Sequence, residues 1–250
     1  MAPELVIAPA KLTLSLRITG VRPDGYHLID AVMTTLEIHD TLEILEGAEG
    51  LSFVGPYAQG ITADSDNLVA RALQFVGRNA RVKVGKNIPH GGGLGGGSAD
   101  AAAVIRWARR TARQDVIASA AIGADVPFCV VGGRARVTGI GEIVQPLDPV
   151  ALNVTLIIPP LHCSTPAVYR AWDEMGRPKS DGPNDLEPAA LIVEPRLAVW
   201  RDRIREVTGK TPTLAGSGAT WFVTDGPADW ETHLREALPE AHVVATRTGQ

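Results

Sequence analysis

The chain has 250 residues, 45% of them hydrophobic and 21% charged. That composition excludes a disordered polymer and suits one large domain or two closely packed ones. Asp and Glu outnumber Lys and Arg by 28 to 24, for a formal net charge of −4. Binding to nucleic acid is therefore not expected, because neutralising phosphate needs a basic excess.

No apolar run is long enough to span a bilayer, and the Met1–Glu4 start lacks the basic and apolar regions of a signal peptide. Cys129 and Cys163 stand far apart in apolar surroundings. They read as reduced, buried thiols of a cytoplasmic protein rather than as a disulfide or a zinc site. No metal-ligand set is legible. A monomer or a weak homodimer is the expected state.

In chain order, Leu5–Ile18 alternates with strand period: Leu12, Leu14, Leu16 and Ile18 on one side, Thr13, Ser15 and Arg17 on the other. A turn follows at Val21–Gly25, then a strand within Val32–Leu45. Residues 47–65 read as loop. Asp66–Gly77 has helical spacing with a glycine stop. Arg81–Gly85 predicts a short strand. A glycine-rich loop comes next, then an Ala-rich helix over 98–113. Short strands are predicted at Val126–Val131, Arg134–Thr138 and Glu142–Leu147, with a prolyl seam near residue 150. The second half predicts a strand at Val154–Ile158, helices at Pro166–Met175 and Pro195–Thr208, and a glycine turn at Ala215–Gly218. A strand at Ala219–Val223, a helix at Ala228–Ala237 and a strand at His242–Ala245 complete it. The class is α+β, divided into 1–149 and 150–250.

The segment Pro89–Asp100 is the strongest chemical signal, with six glycines and a helix directly behind it. Glycine lets backbone N–H groups approach a bulky anion, and the unpaired amides and dipole of the helix start favour negative charge there. A polyphosphate cradle is the reading, with Ser98 or Asp100 as a helix cap, or the Ser98 hydroxyl offered to a magnesium ion. A dinucleotide fold is disfavoured because several elements precede the loop. A Walker A motif and the protein-kinase motifs are absent from the sequence.

Other residues read plainly by themselves: Asp125 as a turn aspartate, Lys11 as a solvated strand lysine, Tyr26 as packing and His27 as surface. Tyr169 equally reads as a core-helix residue, and Lys86 equally reads as a solvated charge at a strand end.

Their context changes that. Ala8-Pro9-Ala10-Lys11-Leu12, Asp24-Gly25-Tyr26-His27, Asp66-Asn67-Leu68, Pro89–Ser98, Gly123–Phe128, Gly139–Glu142, Ser164–Pro166, Asn184–Glu187 and Gly216–Ala219 occur in that order. Together they resemble the GHMP kinase superfamily. The similarity is greatest to the branch that phosphorylates the 2-hydroxyl of 4-diphosphocytidyl-2-C-methyl-D-erythritol in the non-mevalonate route to isoprenoid precursors.

The resemblance implies a two-domain GHMP kinase fold. Its N-terminal domain is like the second domain of ribosomal protein S5, and its C-terminal domain is ferredoxin-like. It implies ATP with Mg2+ as cofactors and a cytidine diphosphate sugar-alcohol as the acceptor. It assigns Asp125 as the proton acceptor and Lys11 as its ionic partner. Asn67, Leu68, Lys86, Pro89, Gly91, Gly92, Gly93, Leu94, Gly95, Gly96, Gly97 and Ser98 fall at the ATP site. Thr13, Tyr26, His27, Tyr169, Gly216 and Ser217 fall at the acceptor site, with Tyr26 and Tyr169 stacking on a cytosine that His27 reads.

Thr13 and Ala99 depart from the superfamily's usual asparagine and serine, and residues 47–67 and 109–122 look shortened. The alternatives are a GHMP kinase for another small molecule, or a catalytically impaired nucleotide-binding homologue.

Overall fold

The computed structural model describes residues 2–89, 91–227 and 229–249; His90 and Ala228 lie outside the described residues. The chain begins with two long strands, β1 (Glu4–Val21) and β2 (His27–Glu46), paired antiparallel along nearly their whole length. The turn between them is closed by Arg22 N–H donating to the Tyr26 carbonyl at 2.8 Å. Next come β3 (Gly50–Val54), α1 (Leu68–Val76), β4 (Ala80–Gly85), α2 (Gly96–Trp107) and α3 (Arg113–Ala118). Then α4 (Val126–Val131), β5 (Arg134–Gly139) and β6 (Ile143–Leu147) complete the first half. β2 organises the first sheet. On its edge away from β1 it pairs with β5 through Ile29–Thr34 and with β4 through Thr41–Glu46. β3 and β6 extend the two ends, giving the order β3-β4-β2-β5-β6 with β1 along β2. α2 packs on β1 and β2 and is flanked by α1 and α4.

The second sheet uses β7 (Asn153–Ile158), β8 (Thr213–Leu214), β9 (Trp221–Thr224) and β10 (His242–Arg247) in the order β10-β7-β9-β8. Helices α5 (Thr165–Glu174), α6 (Glu187–Val193) and α7 (Arg196–Thr208) lie between β7 and β8, and α8 (Trp230–Ala237) lies between β9 and β10. A split βαβ pair with its first strand central and its last strand at the edge is the ferredoxin-like arrangement. No helix among the described residues is long and apolar enough to cross a membrane.

Several predicted elements are corrected. Val126–Val131 is helix α4, not a strand. Five of its six residues are buried, so no alternation distinguishes the two structures, while Pro127 at the helix start favours the helix. The Ala-rich helix ends at Trp107 rather than 113, because Arg109 turns left-handed at φ 57° and α3 then starts afresh. Neither Ser98 nor Asp100 caps α2. The cap position is Gly95, in the left-handed region, and makes no side-chain bond. The loop predicted at 47–65 contains β3, and α6 was not foreseen. β1 does not keep a clean two-residue period either. Register shifts at Pro9/Lys11 and Thr13/Ser15 turn both Lys11 and Thr13 inward.

Candidate active site

The glycine loop lies between β1 and the turn that precedes β9. The backbone N–H of Lys11 donates to the Leu94 carbonyl at 3.0 Å, which fixes the loop on β1. A Cβ at Gly93 would lie 2.7 Å from the Ala215 carbonyl oxygen, and one at Gly95 would lie 2.7 Å from Lys11 Cγ. Both residues have left-handed φ, 75° and 69°. Any side chain there is excluded by contact as well as by conformation.

The loop and the start of α2 form one wall of a cleft of about 410 Å³. Asn67, Leu68, Lys86, Pro89, Gly91, Gly93, Leu94, Gly95, Gly96, Gly97 and Ser98 all line it, as do Phe53 and Ile61. Gly92 is buried against Thr220 instead and does not line the cleft. Asn67 caps α1: its Oδ1 accepts from Val69 N–H at 2.9 Å, and its Nδ2 donates to the Thr62 carbonyl.

Lys86 is neither a solvated lysine nor a free cation. It is buried beneath the helix start, where its ammonium bonds Asp40 and, at 2.6 Å, Asp100. Asp40 Oδ1 also accepts from the backbone amides of Asn87 and Ile88. The cluster joins β2, the end of β4 and α2 under the loop. Burial, reinforced by the Asp40 charge, pushes the Asp100 carboxyl up to about 7 against the pull of Lys86.

On the other side of the loop, Lys11 is 5% exposed and its Nζ lies 3.2 Å from Asp125 Oδ2. The ammonium also donates to Thr13 Oγ1 at 3.3 Å. Asp125 stands at the start of α4 without capping it, which leaves its carboxylate for Lys11. Its side chain is 33% exposed, so one face stays open to an incoming group. Gly216 completes this corner, since a Cβ there would lie 3.9 Å from both Lys11 Nζ and Thr13 Oγ1.

Gly216 is held in place by a segment whose sequence block carries no assigned chemistry. Asn184 Nδ2 donates to the carbonyls of Leu214 and Gly216, at 2.9 and 2.7 Å, while its Oδ1 accepts from Leu186 N–H. Asp185, fully buried, accepts from Arg17 at 2.8 Å and from the backbone amides of Ile18 and Ser180. Residues 183–185 thereby clamp β1 to the glycine turn.

A second cavity of about 460 Å³ opens beside Ala124, the neighbour of Asp125. Tyr26, His27, Pro166 and Tyr169 line it, together with Arg170 and Asp173. The His27 and Tyr169 rings stack at 4.6 Å between centroids, tilted by 40°. Burial and the Asp125 charge raise the Tyr169 phenol, so it stays protonated. Tyr26 is 60% exposed at the rim, under the Arg22 guanidinium, and does not face Tyr169 as a ready-made sandwich. Ser217 Oγ shares a 2.7 Å hydrogen bond with Thr165 Oγ1 between the glycine turn and α5.

Asp40 and Asp173 are not legible as site residues in the sequence, and Asp100 is expected only as a helix cap. For Asp173 one signal existed: it follows Tyr169 by four positions on one helix, and so shares its face.

Among the described residues no group of three or more His, Cys, Asp or Glu side chains is placed to hold a metal ion.

Residues 67–133 match the model of the GHMP kinases N terminal domain. A 4-diphosphocytidyl-2-C-methyl-D-erythritol kinase of Paracoccus denitrificans (strain Pd 1222) is 41% identical, covering 86% of this chain and 84% of that protein. One from Jannaschia sp. (strain CCS1) is 35% identical over 86% of each. A crystal structure of 4-(cytidine 5'-diphospho)-2C-methyl-D-erythritol kinase superposes with a TM-score of 0.73 at 31% identity, covering 99% of this chain and 100% of that one. A homoserine kinase from Cytophaga hutchinsonii superposes at 0.67 with 14% identity, a likeness of fold alone. With relatives this similar over most of its length, the chain belongs to the 4-diphosphocytidyl-2-C-methyl-D-erythritol kinase family of GHMP kinases.

Proposed function

We propose that the chain transfers the γ-phosphoryl group of ATP to the 2-hydroxyl of 4-diphosphocytidyl-2-C-methyl-D-erythritol, within a cytoplasmic route to isoprenoid precursors. The observation that carries this reading is the Lys11–Asp125 pair, 3.2 Å apart, with Lys11 bonded through its backbone to Leu94 of the cleft wall and Asp125 following Ala124 of the aromatic cavity. ATP occupies the cleft with its phosphates against the loop amides and the start of α2, and the cytosine enters the cavity beside His27 and Tyr169. The acceptor oxygen then reaches Asp125.

That oxygen bonds to the γ-phosphorus as the bond to the β–γ bridging oxygen breaks. The hydroxyl proton passes to the Asp125 carboxylate, and ADP leaves. Lys11 places positive charge beside the carboxylate and beside the transferring group. Such a reaction asks mainly for alignment and charge stabilisation from the protein.

The donor set suits a magnesium ion that arrives with the nucleotide. Ser98 Oγ lies near the Gly123–Asp125 turn, and Mg2+ commonly takes phosphate oxygens and water with few protein ligands. When bound, the ion neutralises phosphate charge.

We also propose residues 1–149 and 150–250 as the two domains, each built on one sheet. Incubation with Mg-ATP and the diphosphocytidyl acceptor, with mass detection of a monophosphorylated product, tests the assignment. ATP turnover only with a different acceptor would replace it.

A further inference from the structure

His27 is the first residue of β2, and its Nε2 lies 3.0 Å from Asp173 Oδ2 on α5. Asp173 is anchored in turn by Arg177, whose Nε donates to Oδ1 at 2.9 Å. The edge of the Trp172 indole also meets the imidazole, at 5.7 Å between centroids. The ring therefore has a fixed direction as well as a fixed place.

A carboxylate paired with a guanidinium only accepts hydrogen bonds, so the proton on His27 sits at Nε2. In the neutral imidazole, Nδ1 is then an acceptor, and it has no hydrogen-bond partner among the described residues. Both His27 and Asp173 line the aromatic cavity.

We infer that Asp173 is a specificity-setting positioning residue: by holding the proton on Nε2 of His27 it presents Nδ1 as an acceptor that selects a pyrimidine carrying an exocyclic amino group over one carrying an oxo group. This rests on the proposed acceptor and says how its base is chosen. An amino group at C4 donates to Nδ1. An oxo group there would set two acceptors face to face and leave both unpaired. A site built around one hydrogen bond rejects the mismatched partner more strongly than it favours the right one.

The test uses the whole chain with Asp173→Asn and Asp173→Ala. Asp173 lies on the helix surface, one-third exposed, so both variants should fold. The amide can turn either its oxygen or its NH2 toward Nε2, which releases the tautomer. Three readouts apply at pH 8. The first is the ratio of kcat/KM for the diphosphocytidyl acceptor to that for its diphosphouridyl analogue. The second is the ratio of CDP to UDP affinity by titration. The third is the imidazole 15N shifts of His27.

The wild type should favour the amino base, with the Nε2–H form in the spectrum. Both variants should lose about tenfold or more of that preference, with the KM for ATP unchanged. Discrimination kept within about twofold in both variants, or a wild-type His27 protonated at Nδ1 alone, overturns the inference. A wild type that prefers CDP over UDP through Asp173 but does not phosphorylate the cytidyl acceptor would instead remove the proposed function and leave this inference standing.

Discussion

The backbone amide of Lys11 donates to the carbonyl of Leu94 at 3.0 Å, while the Lys11 ammonium lies 3.2 Å from Asp125. One residue thus ties the glycine loop and the proposed base to the same point of β1. Loop position and carboxylate position cannot drift independently, and phosphoryl transfer is sensitive to that alignment.

Asp125→Asn keeps the shape and removes the proton acceptor. Turnover is expected to fall about 10²–10⁴-fold, with thermal melting and ATP binding nearly unchanged. Stopped-flow or steady-state kinetics with a melting curve check this, and near-normal turnover by the amide would reject the base assignment.

Gly93→Ala meets two penalties, a left-handed φ of 75° and a Cβ 2.7 Å from the Ala215 carbonyl oxygen. The conformational part alone costs about 1–2 kcal/mol. The loop relieves the contact by moving off the Ala215–Gly218 turn. A KM for ATP raised at least about tenfold is the expected result, since the cradle amides move with it. An alanine variant with wild-type ATP kinetics would show that the loop is not held there.

Asp100 gives a pH signature. Its folded carboxyl is raised from 3.8 to about 7, first by burial and then by Asp40. Between those two values the folded chain holds a proton that the unfolded chain has released, so this group's contribution to stability falls as pH rises. Asp100→Asn lacks this proton-linked contribution. The melting temperature of the wild type relative to Asp100→Asn should therefore decline from pH 4.5 to pH 7.5 and level off above. A difference that is flat or rises over that range contradicts the buried-carboxyl assignment.

Cys129 is buried against α2, and burial, with the Asp125 charge nearby, pushes its thiol up to about 12. In the folded enzyme at pH 8 it should resist iodoacetamide, whereas the denatured chain should alkylate readily. Mass spectrometry of the intact protein reads the difference.

Asn184→Ala leaves the Leu214 and Gly216 carbonyls without their shared donor. A loss of about 1–3 kcal/mol in stability is expected from the unpaired groups. Gly216 borders Lys11 and Thr13, so kcat should also fall, even at temperatures where the variant is fully folded.

Local chemistry made part of this protein legible from its sequence. Glycines followed by an alanine-rich run mark a loop that opens a helix, and Asn67 with Gly77 bounds α1 by capping rules that act within a few residues. The ordered blocks from Ala8 to Ala219 carried the family. Periodicity failed where burial is two-sided, as in α4, and where a stop carries no glycine, as at Arg109.

Lys11 and Lys86 show what only the tertiary structure decided. Both are lone lysines, Lys11 within a strand and Lys86 just past the end of one, and nothing adjacent to either says where its charge goes. Contacts across 114 positions for Lys11 with Asp125, and across 46 for Lys86 with Asp40, settle one beside the α4 carboxylate and the other beneath the glycine loop. Hydrogen-bonding potential and turn chemistry are properties of short segments. Desolvation and ion pairing depend on which distant segments the packed sheets bring together, and that information exists only in the folded chain.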